Sequence, residues 1–274
     1  MSAWKAALVL LAGLGASFPA CAQLQADEER EEIRAHDVRV IDRRLHDASP
    51  SGLALSARIV TIHDRQGNLV ESIGYGASGE LRSRSRYKYD AGNRLVDYVT
   101  EPAHEVFQDF TAAYKLDQKG RVTEATYRDA GGKVRGSQRL TRDEAGRIVE
   151  EASYDATGRS TGSARRRYDS DGNEVEWTSM NGEGEVVQRR EYTFRKTGQP
   201  ARTLIYDSTD RLVQKSESVY AGERLSEERS FRADGTLYQR VLYERNASGL
   251  VTKETMFEDG KVISVEEKSY ELHP

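Results

Sequence analysis

The sequence predicts an all-β fold: an antiparallel β-meander of tandem hairpin repeats forming a twisted, curved open sheet, with a short N-terminal helix. Three observations carry this reading. Glycines recur in a fixed rhythm, β-branched and aromatic residues fill the intervals, and proline is nearly absent from those intervals.

The first element is an export signal. Met1-Ser-Ala-Trp-Lys5 is followed by an apolar run from Ala6 to about Leu14, then by Ala20-Cys21-Ala22. A basic start, a short apolar stretch and small residues at the cut define a secretory signal peptide over residues 1–22. The run is too short to span a bilayer, which takes about 20 residues. Lipidation at Cys21 is the competing processing, and Phe18-Pro19-Ala20 fits it poorly. The expected location is therefore periplasmic or secreted.

Cleavage after Ala22 removes the one cysteine, so neither disulfides nor thiolate chemistry remain. It also removes Lys5, leaving 40 basic residues against 45 acidic ones, a net charge of −5 from the −4 of the whole chain. An acidic chain argues against nucleic acid, whose phosphates demand a basic footprint. The apolar fraction of 37% is below the roughly 45–50% usual for globular domains on a count that includes glycine. Such a composition suits a thin core spread over a long sheet.

Residues 23–52 form the second segment. Ala26 to His36 reads as a charged helix, with acids early and arginines later to suit the helix dipole. Ser49-Pro50-Ser51-Gly52 reads as a linker. The segment is either a solvated leader or a helix that covers the first strand and blunts its edge.

The repeat array fills residues 53–274. Gly120, Gly146, Gly172 and Gly198 are 26 residues apart, and Gly132, Gly158, Gly184 and Asp210 repeat that spacing 12 residues later. The pattern extends upstream through Gly67, Gly79 and Asn93, and downstream through Gly235 and Gly249, with shortened turns around Gly222 and Gly260. Each interval reads as one strand and one turn. Aspartate opens the turn by bonding backbone N–H groups ahead of it, and glycine closes it at positive φ. Between turns, residues such as Val186, Tyr192 and Phe194 alternate with period two. The expectation is 15–16 strands in about eight hairpins. Pre-turn aromatics such as Tyr89, Tyr168, Tyr206 and Phe231 should line the two rims of the sheet.

Tyr89-Asp-Ala-Gly-Asn-Arg-Leu95, Tyr154-Asp-Ala-Thr-Gly-Arg159 and Tyr206-Asp-Ser-Thr-Asp-Arg-Leu212 resemble the YD repeat of the RHS family. The resemblance covers roughly residues 55–274. It implies strands wound into a curved sheet, which in large members forms a shell around a toxin domain. This array looks too short to close such a shell, and the repeat holds no catalytic residues to carry over.

No catalytic residue, metal ligand or cofactor motif emerges, and the chain reads as a non-enzyme. His36, His46, His63, His104 and His273 lack ligand spacing and read as surface residues. Asp169-Ser-Asp-Gly-Asn-Glu174 faintly resembles a calcium loop, but Met180 stands where the twelfth-position glutamate belongs. A hydrolase would need a pocket of clustered, perturbed carboxylates.

Four residues stand out as candidate partner contacts: Trp177, Arg166, Arg190 and Arg84. Trp and Arg are enriched at binding hot spots. The plainer alternative pairs these arginines with glutamates across strands. The functional expectation is an exported scaffold that binds another protein in the envelope or outside the cell. Alternatives are an envelope polysaccharide-binding module and a neutralising partner of a toxin.

Overall fold

The computed structural model of the chain describes residues 29–101 and 109–274. The signal peptide expected over residues 1–22 lies outside these residues, as does His104. A helix of about two turns occupies residues 29–35, and the rest of the described chain is strand and turn.

Eighteen strands follow: β1 (Val38–Ser49), β2 (Gly52–His63), β3 (Leu69–Gly76), β4 (Leu81–Tyr89), β5 (Leu95–Glu101) and β6 (Phe110–Leu116). Next come β7 (Val122–Arg128), β8 (Val134–Arg142), β9 (Ile148–Asp155), β10 (Ser160–Tyr168), β11 (Glu174–Asn181) and β12 (Val186–Phe194). The last are β13 (Pro200–Tyr206), β14 (Leu212–Ala221), β15 (Arg224–Arg232), β16 (Leu237–Arg245), β17 (Val251–Glu258) and β18 (Lys261–Leu272). Each strand pairs antiparallel with its sequence neighbours, and β1 pairs with both β2 and β18. The sheet therefore closes on itself as an up-and-down barrel.

Closure corrects the expected open sheet. The difference lies in Val38–Ser49, part of the segment expected to be helix and linker. It carries none of the glycine rhythm, yet it forms a 12-residue strand. Without it β2 and β18 would each present an unpaired edge, and closure alone removes both. Accumulated twist brings the ends of the meander round.

The turns explain the rhythm. In the β6–β7 turn the Gly120 N–H donates to the Asp117 carbonyl (3.0 Å), and the Asp117 N–H donates to the Arg121 carbonyl (2.9 Å). Asp117 Oδ1 accepts the N–H groups of Lys119 and Arg121, and Asp117 Oδ2 holds the Arg121 side chain at 2.7 Å. The fourth position has positive φ, as at Gly120 (76°), and at Asn93 (57°) and Asp210 (60°) where the series lacks glycine. This is the three-residue hairpin loop whose left-handed residue forms a bulge. Glu258 and Lys261 face each other across Asp259-Gly260, which makes the shortened turn there a two-residue loop.

Antiparallel partners share a face, so a row can be traced across strands. Tyr270, Ile41, Thr61, Ser72, Ser85 and Thr100 are successive partners from β18 to β5. Ile41, Thr61, Ser85 and Thr100 of this row are 3–9% exposed. The alternate row, containing Asp42, Val60, Ile73, Arg84 and Glu101, faces the other way. The buried row is the inner wall. The helix packs at the rim where β1 begins and β18 ends: Ile33 packs with Val38, Ile41 and Leu250, and Glu29 holds the inner-wall Arg43 at 2.6 Å. The helix therefore packs on the first strand, but that strand has no free edge to blunt because β2 and β18 pair with it on both sides.

Candidate functional site

The inner wall gathers three of the four residues singled out from the sequence. Arg166 on β10, Trp177 on β11 and Arg190 on β12 are direct cross-strand partners. The Arg190 guanidinium lies 4.8 Å from the Trp177 ring centroid, and its Nε donates to Gln188 Oε1 at 2.8 Å. Arg166, with its side chain 9% exposed, bridges Glu151 at 3.2 Å and Glu174 at 3.3 Å. Burial pushes the Glu174 carboxyl above its ordinary value, partly opposed by the Arg166 and Arg190 charges.

Two further sectors complete this wall. An aromatic run crosses β4 to β7, with ring centroids 5.2 Å apart for Tyr87 and Tyr98, 5.4 Å for Tyr98 and Phe110, and 5.7 Å for Phe110 and Tyr127. Burial holds the Tyr87 hydroxyl well above its ordinary pKa. On the β15–β18 side, Tyr243 donates to Glu228 at 2.6 Å, and Lys268 binds Glu254 with Glu266 at 3.6 Å. Small hydroxyls fill the space between the sectors, as where Ser216 and Ser230 meet at 3.3 Å. The sequence signal for the aromatic run was weak, because the four rings lie at unrelated positions within their repeats. Only register brings them together.

Arg84, the fourth candidate, is on the outer wall, where it holds Glu71 at 2.6 Å. Its setting is the plainer one: cross-strand pairing of arginine with glutamate. The outer wall is a belt of such pairs, including Arg58 with Asp42 (2.9 Å), Lys88 with Asp97 (2.6 Å), Lys115 with Glu124 (2.8 Å) and Arg167 with Glu176 (3.0 Å). Aromatics on the outer wall lie under cations: Tyr75 under Arg58, Tyr154 under Arg139, Tyr206 under Arg189 and Phe257 under Arg240. A membrane-spanning barrel needs an apolar outward band, and each Arg or Lys at the bilayer midplane costs about 2–4 kcal/mol. Charge runs around the wall here instead. Among the described residues, no helix is long and apolar enough to cross a membrane.

His63 departs from its expected surface position. It is 6% exposed, with Nδ1 3.4 Å from the Gly67 carbonyl and Nε2 3.1 Å from Thr61 Oγ1. Desolvation lowers its pKa. The faint calcium loop is a plain turn, because Asp169 Oδ1 accepts the N–H groups of Asp171 and Asn173 and Oδ2 accepts from the Asn173 amide. Among the described residues no group of three or more His, Cys, Asp or Glu side chains is placed to hold a metal ion.

No family model matches the chain, and no curated protein matches it in sequence. Among solved structures it is similar to a porin-like protein from Bacteroides uniformis, with a TM-score of 0.47 and 12% identity over 86% of this chain and 97% of that one. It is also similar to a LolA superfamily protein from Nitrosomonas europaea, with a TM-score of 0.30 and 14% identity over 92% of this chain and 93% of that one. Both overlaps are too loose to carry an argument about function.

Proposed function

We propose that the chain is an exported, non-catalytic binding barrel of the cell envelope, and that its inner wall holds a saccharide chain. The observation that carries this reading is the inner wall itself. Aromatic rings and the Trp177–Arg190 pair alternate there with hydroxyls, amides and carboxylates, a surface that offers both stacking faces and hydrogen bonds to a polyhydroxylated ligand. The outer wall, where many of the charges are paired across strands, offers less. Eighteen strands about 4.8 Å apart give a perimeter on the order of 85 Å, well beyond the eight-strand barrel that side chains alone fill.

Titration of the exported chain with envelope polysaccharide fragments, followed by calorimetry, tests the reading. Trp177→Ala and Tyr98→Ala are each expected to weaken binding by up to about tenfold, in line with the roughly 0.5–1.5 kcal/mol of an aromatic contact. Arg84→Ala on the outer wall should leave affinity unchanged. Failure of every fragment to bind, or equal effects of inner and outer variants, would remove the proposal.

A second reading, a protein partner, rests on the rim opposite the helix. Leu53 (49% exposed), Leu81 (59%) and Leu237 (40%) stand at the starts of β2, β4 and β16 on that rim, with Val186 and Val187 at the start of β12. Exposed apolar residues gathered at one end suit docking of a polypeptide. Cross-linking through cysteines placed at Leu81 and Leu237 in envelope extract tests it, and a product pattern identical to that of outer-wall cysteines would dismiss it.

A further inference from the structure

The cations on the inner wall are not equivalent. Arg43 faces Glu29 at 2.6 Å and Glu266 at 3.9 Å. Lys268 is bound to Glu254 and Glu266. Arg166 bridges Glu151 and Glu174. Arg142 has no carboxylate within 4.0 Å among the described residues, but its guanidinium donates to the carbonyls of Gly146 at 3.1 Å and Val122 at 3.4 Å.

Arg190 differs from all of these. Among the described residues no carboxylate lies within 4.0 Å of it; its guanidinium donates to the neutral Gln188 amide, meets the neutral Tyr192 hydroxyl and lies over the Trp177 ring. Glu174 feels the Arg190 charge, but it is already bonded to Arg166 and its carboxyl is pushed upward by burial. A guanidinium is always charged and presents five donors in a planar fork that matches a carboxylate. Held on an indole ring with its donors only partly used by Gln188 and Tyr192, it has capacity left for an oxyanion. A charge-assisted pair of this kind is roughly twice as strong as a neutral hydrogen bond.

We infer that the saccharide is acidic, and that a carboxylate on it pairs with Arg190 while the adjoining sugar ring lies beside Trp177. This rests on the reading of the inner wall as a saccharide site and names the class of saccharide. The neighbouring Arg166, occupied by two glutamates, positions the wall and does not meet the ligand.

The test titrates the exported chain with a uronic-acid hexasaccharide and with a neutral glucose hexasaccharide. Variants Arg190→Gln, Arg190→Lys and Arg84→Gln are compared, each checked for an unchanged circular dichroism spectrum. The expected result is tighter binding of the uronate, weakened about tenfold or more by Arg190→Gln and by less in Arg190→Lys. Raised salt should weaken uronate binding in the parent but not in Arg190→Gln, and Arg84→Gln should behave as the parent. Equal binding of both hexasaccharides, unmoved by Arg190→Gln, overturns the acidic assignment and leaves the saccharide reading standing. Binding of neither hexasaccharide overturns both.

Discussion

At the scale of single residues, the turn positions do most of the folding work, and two glycines separate local from tertiary demand. Gly198 has φ +82° with open space around a would-be Cβ. Gly67 has the same φ, but a Cβ there would lie 2.3 Å from the Arg30 carbonyl oxygen of the mouth helix. Gly198→Ala should cost about 1 kcal/mol, the backbone penalty alone. Gly67→Ala should cost clearly more, because the helix must move away from the β2–β3 turn. Urea unfolding midpoints measure both. Equal losses would show that the helix does not press on that turn. The positive φ at both sites was legible from the 12/14 spacing. The extra constraint at Gly67 was not, since Arg30 belongs to a different element.

The pre-turn tyrosines act at the scale of the element. Tyr89, Tyr114, Tyr168, Tyr220 and Tyr270 each donate a hydroxyl to the carbonyl of a residue 19 or 20 positions earlier, at the start of the preceding strand. Each bond ties one hairpin to the next at the helix-bearing rim. The turn arginine then stacks on the following hairpin's tyrosine, as Arg147 does on Tyr168 at 4.6 Å. This is why tyrosine, aspartate, glycine and arginine recur together. Tyr168→Phe should destabilise by about 1 kcal/mol through loss of a 2.8 Å hydrogen bond. Tyr154→Phe should be close to neutral, because that hydroxyl has no hydrogen bond among the described residues and its ring lies under Arg139 on the outer wall. Thermal melting of the pair decides, and indistinguishable shifts would refute the clamp.

At the scale of the whole molecule, stability comes from closure rather than from a dry core. Among the described residues the buried apolar cluster is Ile33, Val38, Ile41 and Leu250 at the mouth, whereas much of the inner wall is Ser, Thr, Gly and Ala. An array that stacks only nearest neighbours gains from every added strand and suffers at each free end. Truncation after Gly260 removes β18 and exposes the edges of β1 and β17. The shortened chain should form concentration-dependent aggregates in size-exclusion chromatography with light scattering. A circular permutant opened between Lys196 and Thr197, with Pro274 joined by a flexible linker to the segment ahead of the helix so that Ile33 is kept, should retain the parent's spectrum and elution. A truncated chain as soluble and as stable as the parent would show that closure contributes little.

Strand and turn were readable from the chain because each hairpin is a local object: aspartate, a left-handed residue and alternating side chains interact within about a dozen positions. The same locality made the rhythm visible around Gly120, Gly146 and Gly172. Whether the ribbon stayed open was settled by β1, a strand without that rhythm, and by its pairing with β18, whose partners lie 217 to 234 residues away. The inner wall was settled the same way. Trp177 meets Arg166 and Arg190 while Arg84 points outward, because register around a ring assigns each side chain to a face, and register is a property of all the strands together.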